Sequence, residues 1–186
     1  MSKNMHLVLM TFHAPITHTA LSWADKEDGH LNGFSDVKYW TKMAKTLEKG
    51  CFDAIFFADT PAASDQFKGN ADTPIKYGVG WPTHDPMPLV AIMASATDKL
   101  GVGVTLSING TPPYLAARRI STLDYLSQGR IGWNVVTGHM QAEHRAIGNT
   151  LTKHDERYDR ADEYLEVCYA LWDAYSKGSV LIFDIA

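Results

Sequence analysis

Residues 129–138 read Gly-Arg-Ile-Gly-Trp-Asn-Val-Val-Thr-Gly. Within them, Ile131–Val136 has the length and apolar content of a buried strand that ends on polar groups. Three earlier stretches repeat the pattern: Met5–Thr11, Phe52–Ala58 and Gly101–Leu106. Between the strands the apolar spacing switches to the helical period, which is the signature of βα units feeding a parallel sheet. Four such units can be counted.

The helices follow from the same reading. One spans Asp36 to Lys49, with Ser35 as N-cap and Gly50 at the C′ position. A second covers roughly Pro88 to Thr97. A third begins at Thr111-Pro112-Pro113, an N-cap with proline at the first helical position, and runs to Gln128. The last runs from about His154 to Tyr175. Its apolar positions Tyr158, Ala161, Leu165, Cys168, Trp172 and Tyr175 alternate spacings of three and four, with Glu156, Asp159, Arg160, Glu163 and Glu166 outside that stripe. Thr60 to Met87 is a long segment rich in Gly, Pro, Asp and Thr, and loops of this length are usually functional.

A chain of 186 residues, 45% hydrophobic and 20% charged, suffices for one well-cored domain and is short for two. A net charge of −4 with no basic run argues against a nucleic-acid partner. No apolar stretch approaches the ~20 residues of a membrane span, and the N-terminus lacks a secretory core, so a cytoplasmic protein is expected. Cys51 and Cys168 are too few for a disulfide framework or a thiolate zinc site and read as small core residues.

Parallel sheets bind ligands at the carboxyl ends of their strands. Asp59 follows the second strand, Thr105 and Ser107 end the third, and Asn134 and Thr137 lie on or just beyond the fourth. Such residues also cap helices and close turns. Three polar strand ends in succession would equally suit a flat heteroaromatic ligand with several donors and acceptors. His154 and Tyr158 share a face at a helix N-terminus, which favours an anion such as a phosphate. The alternative there is a capping-box-like start from Thr152 and Asp155 with Tyr158 in the core. His13 and His18 follow the first strand, and His139 and His144 the fourth, bringing imidazoles suited to proton transfer toward one mouth of the fold. No zinc spacing, P-loop, nucleophile elbow or GxGxxG fingerprint is present, and no metal is expected.

Gly-Arg-Ile-Gly-Trp-Asn-Val-Val-Thr, then His154-Asp-Glu-Arg-Tyr-Asp-Arg-Ala-Asp-Glu-Tyr164, resembles the flavin-dependent monooxygenases of the bacterial luciferase superfamily. The group in question holds nitrilotriacetate monooxygenase component A, dibenzothiophene-sulfone monooxygenase and long-chain alkane monooxygenase. Glu48–Ala54 before Ala58-Asp59, and Ala117–Asp124, support the resemblance, which covers nearly the whole chain. It implies a TIM barrel that takes reduced FMN from a separate flavin reductase and uses O2 to insert one oxygen atom into a small organic substrate. It also implies flavin-binding roles for Asp59, Thr105, Asn134, His154 and Tyr158, and catalytic roles for His139 and His18. Where alkane-oxidising members carry a cysteine after the first strand, this chain has Ala14 or Pro15. Their tyrosine near Ser64 and glutamine near Gly80 are also absent.

A closed (β/α)8 barrel takes roughly 250 residues. The four units here, residues 1–186, therefore read as one luciferase-like domain truncated before barrel strands five to eight. A homo-oligomer, or pairing with a complementary half, is the expected answer to two unpaired sheet edges. Three alternatives stand beside this reading: an inactive or assembly-dependent half-barrel, an oxidoreductase of the same superfamily using the deazaflavin F420, and a small doubly wound α/β binding protein.

Overall fold

A computed structural model describes residues 5–17 and 22–174. His18 and Tyr175 lie outside them. The strands are β1 (Val8–Phe12), β2 (Ala54–Ala58), β3 (Gly101–Ser107) and β4 (Ile131–Val136), all parallel and hydrogen-bonded in the order β1-β2-β3-β4. The helices are α1 (His30–Gly33), α2 (Val37–Lys49), α3 (Asp72–Tyr77), α4 (Met87–Ser95), α5 (Pro113–Ser127), α6 (Gln141–Ala146) and α7 (His154–Asp173).

Strand order decides between the two α/β architectures. Right-handed crossovers that always step in one direction put every connecting helix on the same face. A doubly wound sheet needs a reversal of order, and this sheet has none, so that alternative fails. Trp40, Ala44 and Leu47 of α2, Val90 and Met93 of α4, and Ile120 and Leu123 of α5 form one buried cluster with Ile55, Phe57, Val102 and Val104 of the sheet. Full burial of side chains this size contributes roughly 1.5–3 kcal/mol each. A second cluster joins α5 to α7 through Ala116, Ala117, Ala161, Tyr164 and Cys168.

The opposite sheet face carries the alternate residues. Met10, Phe56, Gly103 and Gly132 form one row across it, and a Cβ on Gly103 would lie 3.2 Å from the Phe56 ring. Val8 and Met10 on this face are 55% and 42% exposed. A one-sided sheet with sequential strands, its inner face open, is the geometry of consecutive units of a βα barrel.

The loops at the amino ends of the strands are tied by two charged side chains. Glu48 accepts from the amides of Asp98, Lys99 and Leu100 at 2.9, 2.6 and 3.1 Å. Arg130 donates to the carbonyls of Ser127, Leu100 and Ala94 and to the Thr97 hydroxyl, all within 3.1 Å.

Several local expectations are corrected. The α2 N-cap is Asp36, whose carboxylate accepts from the Lys38 amide at 2.8 Å, not Ser35. After that helix the left-handed residue is Cys51 (φ 59°), which is exposed and not in the core. Pro112, not Thr111, caps α5, because the residue before Pro113 is held extended (φ −57°, ψ 145°). No side chain caps α7 at its N-cap Lys153, so the Thr152 and Asp155 box is absent. On α7 the buried tyrosine is Tyr164, whereas Tyr158 is 53% exposed. No helix among the described residues is long and apolar enough to cross a membrane.

Candidate active site

The carboxyl ends of β2, β3 and β4 open on one cavity of about 150 Å³, lined by Asp59, Thr105, Ser107, Asn109, Glu143 and His144, among others. Ligand pockets commonly enclose ~300–1,000 Å³, so this space is smaller than a complete small-molecule site.

Each wall is built locally. Thr105 is buried on β3, and its hydroxyl accepts from the Asn134 side-chain amide at 3.1 Å, the two residues being register partners. Asp59 leaves the end of β2 half-buried. Burial, opposed by the Thr60 amide and reinforced by Asp85 and Glu143, pushes its carboxyl up to about 6. That value makes it a group able to hold or release a proton near neutrality.

The third wall is a turn held by side chains. The chain bends at Gly138 (φ 66°) after β4. Asn109 Nδ2 donates to the Thr137 carbonyl at 2.6 Å, and Glu143 Oε2 accepts from the His139 and Met140 amides, both at 3.3 Å. Asn149 donates in turn to the Asn109 carbonyl at 2.9 Å. A Cβ on Gly138 would lie 3.0 Å from Asn109 Nδ2, 3.1 Å from His144 Nε2 and 3.4 Å from Glu143 Oε2, so this cradle closes only around glycine.

The structure gathers some expected residues and leaves others apart. Asp59 and Thr105 line the cavity together, and Asn134 joins them through Thr105. His139 is exposed and is tied to the cavity through its backbone amide and Glu143. His154 and Tyr158 do share a face, their ring centroids 4.9 Å apart, but they are not among the residues lining the cavity. His154 Nδ1 lies 2.8 Å from the Asp155 carboxylate.

At the mouth of β1, His13 Nδ1 bonds the Asp85 carbonyl at 2.9 Å, and its ring lies 5.3 Å from His84 and 5.7 Å from Trp40. Nearby His30 is buried, and burial lowers its imidazole below the ordinary value. Among the described residues no group of three or more His, Cys, Asp or Glu is placed to hold a metal ion.

Asn109 and Glu143 were not singled out by the sequence reading. The only signals for them were an Asn-Gly step after a strand and a glutamate three residues after Met140, the capping-box position but with methionine in place of serine or threonine.

Sequential parallel βα units with hydrogen-bonding side chains at the carboxyl end of the sheet have the architecture of part of a βα barrel. Residues 5–180 match the luciferase-like monooxygenase family, and the chain belongs to that family. It is 40% identical over 186 residues to the long-chain alkane monooxygenase of Geobacillus thermodenitrificans (strain NG80-2), covering all of this chain and 42% of that protein. The crystal structure of a long-chain alkane monooxygenase superposes with a TM-score of 0.88 at 42% identity, over 92% of this chain and 40% of the other. A riboflavin lyase solved with modified FMN and its substrate riboflavin gives a TM-score of 0.84 at 33% identity, over 91% and 38%. The chain thus spans about two fifths of the length of the relatives it matches.

Proposed function

We propose that the chain supplies the flavin-ring wall of an FMN-dependent monooxygenase, which takes reduced FMN from a separate reductase and uses O2 to oxygenate a small organic substrate. The observation that carries this reading is the cavity at the carboxyl ends of β2 to β4, where buried hydrogen-bonding groups converge at a size suited to one ring edge. The residues present fit a flavin. The Thr105 and Asn134 pair offers a hydroxyl and an amide, and Asp59 offers a carboxyl.

The bound group, when reduced, supplies the electrons and activates O2; the protein's part is to hold, orient and protonate. Thr105 and Asn134 orient the ring, and His154 and Tyr158 at the start of α7 hold the phosphate arm, favoured by the helix N-terminus. His139, on a turn clamped by Asn109 and Glu143, moves a proton on the substrate side. His18 is the second candidate for proton transfer.

Titrating the chain anaerobically with reduced FMN, and with F420 for comparison, tests the reading. Saturable FMN binding that weakens in Thr105→Val and Tyr158→Phe is expected. Preference for F420, or no flavin binding, would overturn it.

A second reading has its own support. Val8 and Met10 expose apolar surface on the inner face, and among the described residues β1 and β4 each pair on one side only. We infer that the site is completed by assembly, with a second copy or a complementary half. Light scattering on the purified chain, with and without FMN, tests it, and a stable flavin-binding monomer would sink it.

A further inference from the structure

Asp59 and Pro61, on the segment that follows β2, line the cavity from one side, and Glu143, His144 and Ile147 line it from α6 and its C-cap. One ion pair joins these two sides. Arg145 of α6 donates to the carboxylate of Asp65, four residues beyond Pro61, at 2.6 Å and across 80 positions of sequence. The other ion pairs among the described residues lie at the amino ends of β1 and β2 or at the start of α7.

Both anchors are coupled to the cavity by packing. Between Pro61 and Asp65 the chain is held down by Ala62 and Ala63, each 9% exposed, and Arg145 stands on α6 directly after buried His144. Neither charged residue lines the cavity. The Asp65 side chain is sheltered while that of Arg145 is largely in solvent, and a pair so exposed adds little to global stability. What it does is fasten the segment after β2 to the helix after β4.

We propose that Asp65 and Arg145 are positioning residues whose ion pair straps the two sides of the cavity together and slows the release of a bound flavin, an inference that rests on the flavin reading above. Each acts through its neighbours, Asp65 through Pro61 and Arg145 through His144 and Ile147. Breaking the pair frees the two sides to part without removing any group that lines the cavity.

The test follows FMN release from the full chain by stopped-flow fluorescence, at low and at high salt, for wild type, Asp65→Asn, Arg145→Gln and the double variant, with the ligand-free Tm of each. Each single variant is expected to release FMN about two- to fivefold faster, the range an ion pair of this exposure spans. The double variant should be no faster than either single, because both remove the same contact. High salt should speed release from wild type and leave the variants nearly unchanged, since screening acts on the pair. Tm should stay within about 2 °C throughout.

An unchanged release rate in either single variant would overturn the proposal, and so would effects that multiply in the double variant. A Tm lower by more than about 5 °C in the fast-releasing variants would overturn it as well, by making the pair a support of the whole fold. Wild type binding no FMN would sink the flavin reading and this inference with it, whereas wild type that binds FMN and shows no salt effect on release would sink the strap alone.

Discussion

Asn134 donates to the Thr105 hydroxyl at 3.1 Å across the β3–β4 ladder, one residue exposed and the other buried. The buried partner thereby restrains the side chain of the exposed one beside the cavity-lining Thr105. Thr105→Val keeps the shape and removes the acceptor. We expect a change in stability under about 1.5 kcal/mol, because the freed amide turns to water, but a five- to tenfold loss in FMN affinity. Chemical denaturation beside flavin titration separates the two effects.

Asp59 makes stability depend on pH. Its folded value, about 6, lies above the unfolded value near 3.8, so between these the folded state binds more protons than the unfolded one. Stability contributed by the protonated carboxyl is full below about pH 4, falls through pH 4–6 and is gone above, a change of up to about 3 kcal/mol. Asp59→Asn should therefore raise Tm at pH 7.5 and leave it nearly unchanged at pH 4. Equal Tm gains at both values would rule out desolvation as the cause.

Glu48 acts in the opposite sense. Its carboxylate is held below the ordinary value chiefly by the Lys99 amide, with the Leu100 and Asp98 amides and Arg130 adding to it. The stabilisation is present above the unfolded value and is lost as pH falls through the lowered folded value. Glu48→Gln should remove that acid-side dependence, measurable as a flatter Tm profile below pH 5.

Arg130 closes four contacts that span the sequence from Ala94 to Ser127. Arg130→Met leaves those acceptors without their donor and should cost about 2–4 kcal/mol, or roughly 5–15 °C in Tm for a chain of this size. Arg130→Lys should recover less than half, since one ammonium cannot reproduce the planar fork.

Gly138→Ala is expected to be the most damaging single methyl at the site. Left-handed backbone strain of about 1–2 kcal/mol adds to displacement of Asn109 and His144, so flavin affinity should fall along with Tm. Thermal scans and FMN titration of the same preparation would show both.

The sheet was largely legible in the sequence. Ile131–Val136 is a strand with the bounds expected from its apolar run, and β2 and β3 end within a residue of expectation. At β1 the expected start at Met5 was too early. There the Asp53 carboxylate, not a strand partner, takes the Leu7 amide at 2.7 Å, so the ladder begins only at Val8.

Two six-residue helices inside connections, α3 and α6, escaped notice because segments so short have no period of their own. They are held by what they touch. The choice between Tyr158 and Tyr164 as the buried ring was equally beyond spacing, since it depends on where α5 lies and on the Thr111 carbonyl that receives the Tyr164 hydroxyl at 2.7 Å. His144 was visible as one of several histidines near the mouth, but its burial comes from the fold of the Gly138 turn.

The strictly sequential sheet also has a temporal side. Each strand finds its only earlier partner in the unit just before it, so no strand waits for a segment made much later. During synthesis from the amino end, native structure can therefore accrue one βα unit at a time, in the direction of translation. Met10 and Val8 gain no cover from the later units of the sheet, so the inner face accrues apolar surface as the outer face buries it.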